Sequence, residues 1–248
     1  MSIPADILEL CTQISGITYE NLSKILRYAQ HASSEKSVRL DDAFQNDLDQ
    51  WMGGGTCFSI TWHLYQELRA LDYEPKLLMG HQKGKRNIHC ALSLDFEGKT
   101  LFFDPGYLIF DPLTVPPASH EVTEQNFALI PNWVKLRRQQ ELLELWTGSP
   151  GQTLRFRFYF DLAGVREKEF FVYWKASFYF EMMQYPVLNR LDREKGVQYY
   201  FQKDKLITRS AQGSQVEKIS KAEQKHRLAK IFHLDPQLIA DAFATLKL

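Results

Sequence analysis

The sequence has little of what would tie it to a disulfide scaffold, a nucleic acid or a membrane. Its 248 residues hold only three cysteines, Cys11, Cys57 and Cys90. They form no CxxC pair, and their odd number argues against a disulfide framework and for a reducing, cytoplasmic setting. Charge is balanced, with 30 Lys+Arg against 30 Asp+Glu, so no broad basic field points to nucleic acid. No run of about 18 apolar residues offers a membrane span, and no signal peptide is visible. His226 and His233 share a helical face without a third ligand, so no metal site is expected. There is no internal repeat and no low-complexity tract. What remains is an ordinary globular composition, 44% hydrophobic and 24% charged, on a chain long enough for a substantial buried core.

Two periodicities divide that chain. Residues 5–30 carry two apolar stripes at helical spacing, one from Ile7 to Ile14 and one from Leu22 to Ala29, parted near Gly16. Residues 41–51 read as a short polar helix or a loop. Phe58, Thr61, Trp62, Tyr65, Leu68 and Leu71 then recur as one face of a buried helix, with Pro75 as its stop signal. The period next falls to two. Residues 76–80, 87–96 and 100–103 read as strands separated by Gly- and Lys-rich turns. A Pro-rich loop is expected over 111–118, and residues 137–146 leave strand or short helix open. Residues 154–160 alternate as a half-buried antiparallel strand. Residues 170–189 read as an aromatic-rich helix, residues 198–208 as a hairpin, and the last 28 residues as helical with a break near Asp235-Pro236.

The stretch with the most chemistry in it is Gly53-Gly54-Gly55-Thr56-Cys57. Three glycines permit backbone angles and close approaches that side chains block, and a helical pattern begins directly after them. A thiol at that helix start is acidified by the positive end of the dipole. The plainer alternative is a small buried side chain beside a tight turn. In the strand over 87–96, His89 falls on the face opposite Cys90, Leu92 and Leu94. If Glu97 and Gly98 are the two central turn residues, Asp104 lies on the His89 face, diagonal to it; a three-residue loop would break that parity. A thiol, a base and an orienting carboxylate are what nucleophilic acyl chemistry needs. Gly80 to Arg86 approaches a phosphate-loop pattern but lacks its spacing and hydroxyl, and reads as a solvated turn.

These segments resemble the arylamine N-acetyltransferases. Gly54-Gly55-Thr56-Cys57, His89 and Asp104-Pro105-Gly106-Tyr107 are similar to that family's active-site segments. Ile17-Thr18-Tyr19-Glu20-Asn21-Leu22 is similar to its Ile-Pro-Phe-Glu-Asn-Leu, and weaker likenesses follow at Asp111-Pro112-Leu113 and Leu228 to Leu234. The resemblance implies an α+β fold: an N-terminal helical bundle over 1–74, a central antiparallel β-barrel over 75–168 and a C-terminal α/β lid over 169–248. It implies that Cys57 is acylated, that His89 activates it and that Asp104 orients His89. Gly106 is all that remains of the family's Gly-rich loop, which approaches the coenzyme A pyrophosphate. Gly53 stands where the family has Arg, and Ser59 and Thr61 where it has Glu and Asn, so a different support for the nucleophile is expected.

The expected function is therefore acyl transfer by a ping-pong route. The donor is acetyl-CoA, another acyl-CoA or an acyl-carrier-protein thioester; the acceptor is a small-molecule amine. No resident cofactor, nucleic acid or membrane is expected. The alternatives are a cysteine hydrolase, transglutaminase-like enzyme or amide synthase on the same fold, and a catalytically inactive binding protein.

Overall fold

The computed structural model describes residues 3–40, 42–51, 53–129 and 131–247. They form two compact units, each assembled from two stretches of chain. One unit comprises Met1–Ser15 and Thr61–Tyr173; the other comprises Gly16–Ile60 and Trp174–Leu248. In chain order the first elements are α1 (Ala5–Ser15), β1 (Tyr19–Glu20), α2 (Leu22–His31), the single turn α3 (Ser34–Ser37), α4 (Asp42–Trp51) and α5 (Cys57–Ala70). The polar stretch before the glycines is thus a helix; Asp41, at its start, lies outside the described residues.

Strands β2 (Pro75–Gln82), β3 (Lys85–Phe96), β4 (Lys99–Asp104), β5 (Ile109–Thr114), β6 (Thr123–Ala128), β7 (Trp133–Gln139), β8 (Leu142–Gly148) and β9 (Arg155–Asp161) belong to the first unit. They pair in the order β5-β4-β3-β2-β9-β8-β7-β6, all antiparallel. The sheet curls into the nearly closed barrel that the α+β reading anticipates. Alternation builds its core: Val134 and Leu136, Leu143 and Leu145, and Phe158 and Phe160 all turn inward with Leu78, Ala91 and Phe102. Each large side chain so withdrawn from water contributes about 1.5–3 kcal/mol, more than an exposed ion pair on the outer face does. On that outer face Lys135 pairs with Glu124 and Arg137 with Glu144. Helix α1 packs on β5 in the same unit.

Two expectations change here. Residues 111–118 are not wholly loop, because β5 takes Ile109–Thr114 and pairs with β4. Pro112 is tolerated because β5 ends the strand order, where one row of donors has no ladder to join. Residues 137–146 are neither one strand nor a helix. They are the turn of a hairpin in which Gln139 pairs with Leu142 and Gln140 takes a left-handed φ of 53°.

The second unit holds β10 (Val187–Asp192), β11 (Val197–Gln202), β12 (Lys205–Ser210) and β13 (Gly213–Lys218), which with β1 form a five-stranded sheet. Helices α7 (Lys221–Phe232) and α8 (Pro236–Thr245) share its core with Leu22, Leu188, Phe201 and Leu206. The break between them is where the sequence puts it, with Asp235 accepting from the Gln237 N–H as a cap before Pro236. The expected hairpin at 198–208 is the centre of this sheet, its register set by Gln202 opposite Lys205. Residues 170–189 are not one helix. The helix α6 (Glu167–Ala176) ends where the Ser177 hydroxyl donates to the Trp174 carbonyl, and two 3-10 turns follow. Pro186 then forces Tyr185 into an extended backbone (φ −152°, ψ 155°), and β10 begins. Asn21 ties α2 to that point: its Nδ2 donates to the Met182 and Tyr185 carbonyls, and its Oδ1 accepts from the Val187 N–H.

Candidate active site

His89 and Asp104 come together in the barrel. The β3–β4 turn has Glu97 and Gly98 at its centre, with φ of 49° and 75°, and Phe96 pairs with Lys99 across it. That two-residue turn fixes the parity. Leu92 pairs with Phe103, so Asp104 continues the register opposite Ala91, on the His89 face. His89 Nε2 lies 2.8 Å from both Asp104 oxygens. Asp104 is fully buried and His89 is 6% exposed, so the pair works where water screens little. Asp104 Oδ1 also accepts from the Tyr107 N–H at 3.0 Å, capping the short turn Pro105–Tyr107 that contains Gly106.

The imidazole is held by its neighbours as well as by its carboxylate. It stacks on Phe158 (centroids 4.5 Å, planes 18° apart) and meets the Tyr107 ring edge-on at 5.4 Å. Opposite it in β2, Gly80 leaves room: a Cβ there would sit 3.0 Å from both His89 Cβ and Phe160 Cε1. A bulge between Gly80 and Gln82 interrupts the β2–β3 ladder, and within it His81 pairs with Tyr159 of β9 before Gln82 rejoins β3 at Lys85. Sequence reasoning found the pair but missed Phe158, Tyr107 and Gly80 as its setting. Strand parity at 154–160 pointed Phe158 inward, but nothing in the sequence alone said onto what.

Cys57 opens α5 in the second unit, 7% exposed, directly after the glycine turn. All three glycines are required there. A Cβ on Gly53 would meet Glu20 Oε1 at 2.6 Å, and one on Gly54 would meet Ile17 Cγ2 at 2.3 Å. Gly55 takes φ +71°, and a Cβ on it would meet Ser59 Oγ at 2.3 Å. The turn is laced to β1: the Gly54 N–H donates to the Thr18 carbonyl and the Glu20 N–H to the Gly55 carbonyl, both at 2.9 Å.

Beneath the turn lies a buried charged cluster. Glu20, with no exposed surface, accepts from the Gly55 N–H at 2.9 Å, from the Ser23 N–H at 2.7 Å and from the Ser23 hydroxyl. Arg39, 3% exposed, donates from Nη2 to the Gly53 carbonyl at 2.9 Å and from Nη1 to Ser23 Oγ at 3.2 Å. Its Nη1 is 3.8 Å from Glu20, and its Nε is 2.7 Å from Asp47, off the line of the N–H bond. Burial pushes the Arg39 pKa below its ordinary value, while Glu20 and Asp47 pull it back up. Ser59 Oγ lies 2.7 Å from the Gly54 carbonyl and 3.0 Å from that of Thr56, so its one hydrogen pins the turn to the helix. Thr61 Oγ1 is buried with no hydrogen-bond partner among the described residues. Ser59 therefore takes up a supporting role and the Thr61 hydroxyl does not. Of this cluster the sequence flagged Glu20 and Ser59; Arg39 and Asp47 lay in a polar stretch with no signal.

The Gly80–Arg86 stretch falls outside these constellations, with Lys83 and Gly84 forming the exposed β2–β3 turn. So do His63, which lies 3.8 Å from Glu67 on its own helix, and Cys90, which is fully buried. Among the described residues, no group of three or more His, Cys, Asp or Glu is arranged to hold a metal ion. Among the same residues, no helix is long and apolar enough to cross a membrane.

This is the fold of the arylamine N-acetyltransferases. The enzyme from Nocardia farcinica superposes with a TM-score of 0.74 at 19% identity, over 96% of this chain and 87% of that one. An arylamine N-acetyltransferase from Bacillus cereus, described as having a unique Cys-His-Glu catalytic triad, superposes at 0.68 and 14% identity, over 95% and 92% of the two chains. The Mycobacterium marinum enzyme, solved in complex with CoA, superposes at 0.71 and 17% identity, over 96% and 89%. No protein-family model and no curated protein matches the sequence.

Proposed function

We propose that the protein is an acyltransferase that moves an acyl group, acetyl in the simplest case, from a thioester through a Cys57 acyl-enzyme to an amine. The observation that carries this reading is the buried His89–Asp104 pair on an arylamine N-acetyltransferase-like fold. Structural neighbours with a Cys-His-Glu triad and with bound CoA lend it support.

The chemistry follows from the bond that Asp104 makes. A carboxylate only accepts, so His89 Nε2 carries the hydrogen and Nδ1 becomes the basic nitrogen. Cys57 gives its thiol proton to Nδ1, and the thiolate adds to the thioester carbonyl carbon. The Cys57 N–H, at the positive end of α5, meets the oxyanion. The donor C–S bond then breaks, and the leaving thiolate takes the proton back from the imidazolium. In the second half the amine adds to the acyl-enzyme, loses its proton to Nδ1 and releases Cys57. Acyl-CoA is the favoured donor. Gly106, the one glycine in the segment after Asp104, is where backbone would approach its pyrophosphate; an acyl-carrier-protein thioester offers the same reacting group.

Intact mass after mixing with acetyl-CoA tests this. The mass of one acetyl group should appear on the wild-type chain, map to Cys57, and disappear when an arylamine is added. Loss of the group as free acid without any amine would instead make the protein a hydrolase. No adduct from acetyl-CoA or from an acyl-carrier thioester would overturn the reading.

A further inference from the structure

We propose that Arg39 is a positioning residue for Cys57: its guanidinium holds the triple-glycine turn in the shape that sets the reactivity of the thiol. This rests on the reading of Cys57 as the nucleophile. The turn has a backbone carbonyl at Gly53 and a backbone N–H at Gly55, and one buried ion pair grips both. Arg39 takes the Gly53 carbonyl at 2.9 Å, while Glu20 takes the Gly55 N–H at 2.9 Å. The two side chains lie 3.8 Å apart and share Ser23. The turn is thus clamped two residues from Cys57 at one end and pinned by Ser59 at the other.

An arginine at position 53 could not do this here. A Cβ on Gly53 would come within 2.6–2.9 Å of the Glu20 side chain, so the space beside the turn is already taken. The charge comes instead from the segment between α3 and α4, where Arg39 packs over the Phe44 ring (5.0 Å to the centroid) and is steadied by Asp47. Arg27 reaches Asp47 from the other side at 3.4 Å. Two arginines and two carboxylates therefore close a neutral cluster. Taking one member away leaves a buried charge without its partner.

Arg39→Lys is the informative variant, because it keeps the charge but replaces a planar fork with a point donor that cannot span the Gly53 carbonyl, Ser23 and Asp47 together. Two readouts are followed in the full-length protein. Hydrogen exchange at the Gly55 amide should speed up by at least about tenfold in the variant, since that amide is held by the clamp. Alkylation of Cys57 by iodoacetamide at neutral pH should slow by about ten- to a hundredfold, the usual result of a reacting group held slightly out of place. A merely structural residue would lower the melting temperature without moving either readout in the folded state. If Arg39→Lys does not fold, Glu20→Gln serves, as it keeps an acceptor for Gly55 but loses the charge that holds Arg39. Unchanged exchange and unchanged alkylation in a folded variant would overturn the proposal and leave the nucleophile reading intact. An ordinary thiol in the wild type, with faster Gly55 exchange in the variant, would sink the nucleophile reading and leave the clamp on the turn standing.

Discussion

Cys57→Ala is expected to abolish acyl transfer while the protein still melts cooperatively near its normal temperature. The substitution removes one sulfur atom from a side chain only 7% exposed. That loses about as much burial as one methylene, about 0.8 kcal/mol, and the first turn of α5 tolerates alanine well. Turnover has no such reserve. With no sulfur there is no acyl-enzyme, and removing the nucleophile of a comparable triad costs about a millionfold. Steady-state assay with an arylamine and acetyl-CoA, beside a thermal melt, separates the two effects. Activity within about tenfold of wild type would show that another group forms the bond.

His89→Gln is expected to lower turnover by about 10²–10⁴-fold, the usual contribution of a positioned general base. Glutamine still fills part of the space beside Phe158 and can still bond to Asp104, so the barrel should hold. What is lost is the nitrogen proposed to accept the Cys57 proton. The companion change Asp104→Asn keeps an acceptor for the Tyr107 N–H but can turn an NH₂ donor toward Nε2. It therefore favours the tautomer with the hydrogen on Nδ1, where it blocks the thiol; in a serine triad the equivalent change costs about 10⁴-fold. Both variants should fail in the first half-reaction, seen as slow acyl-enzyme formation by rapid-quench mass measurement. A loss under about tenfold for His89→Gln would remove it as the base.

Much of the barrel was legible because strands announce themselves by period. Alternation at 87–96 showed which side chains share a face, and a two-residue turn at Glu97-Gly98, which the sequence left as one of two turn lengths, brought His89 to Asp104. Where the period was blurred, the sequence said less. Charges on both sides of Leu142 and Leu143 hid the β7–β8 hairpin, since an outer face of paired Lys, Arg and Glu looks like a solvated helix. Aromatic density over 170–189 imitated one long helix, although Ser177 and Pro186 stop it for local reasons. The glycine turn was legible from its composition, but its support was not. Arg39 reaches Gly53 from fourteen residues upstream, and no local spacing rule marks a single arginine as the partner of a distant glutamate.

The central proposal is that Cys57 is an activated thiol with His89 as its base, and the pH dependence of its alkylation by iodoacetamide tests it most directly. Cys57→Ala serves as the control for Cys11 and Cys90, both buried. A thiolate stabilised by an imidazolium and a helix N-terminus reacts well below the unperturbed thiol pKa of about 8.5. The account predicts fast labelling of Cys57 at pH 6–7, about the range where such paired cysteines remain ionised, and loss of that low-pH reactivity in His89→Gln. Labelling that rises only as the pH passes about 8–9, the same with and without His89, would contradict it.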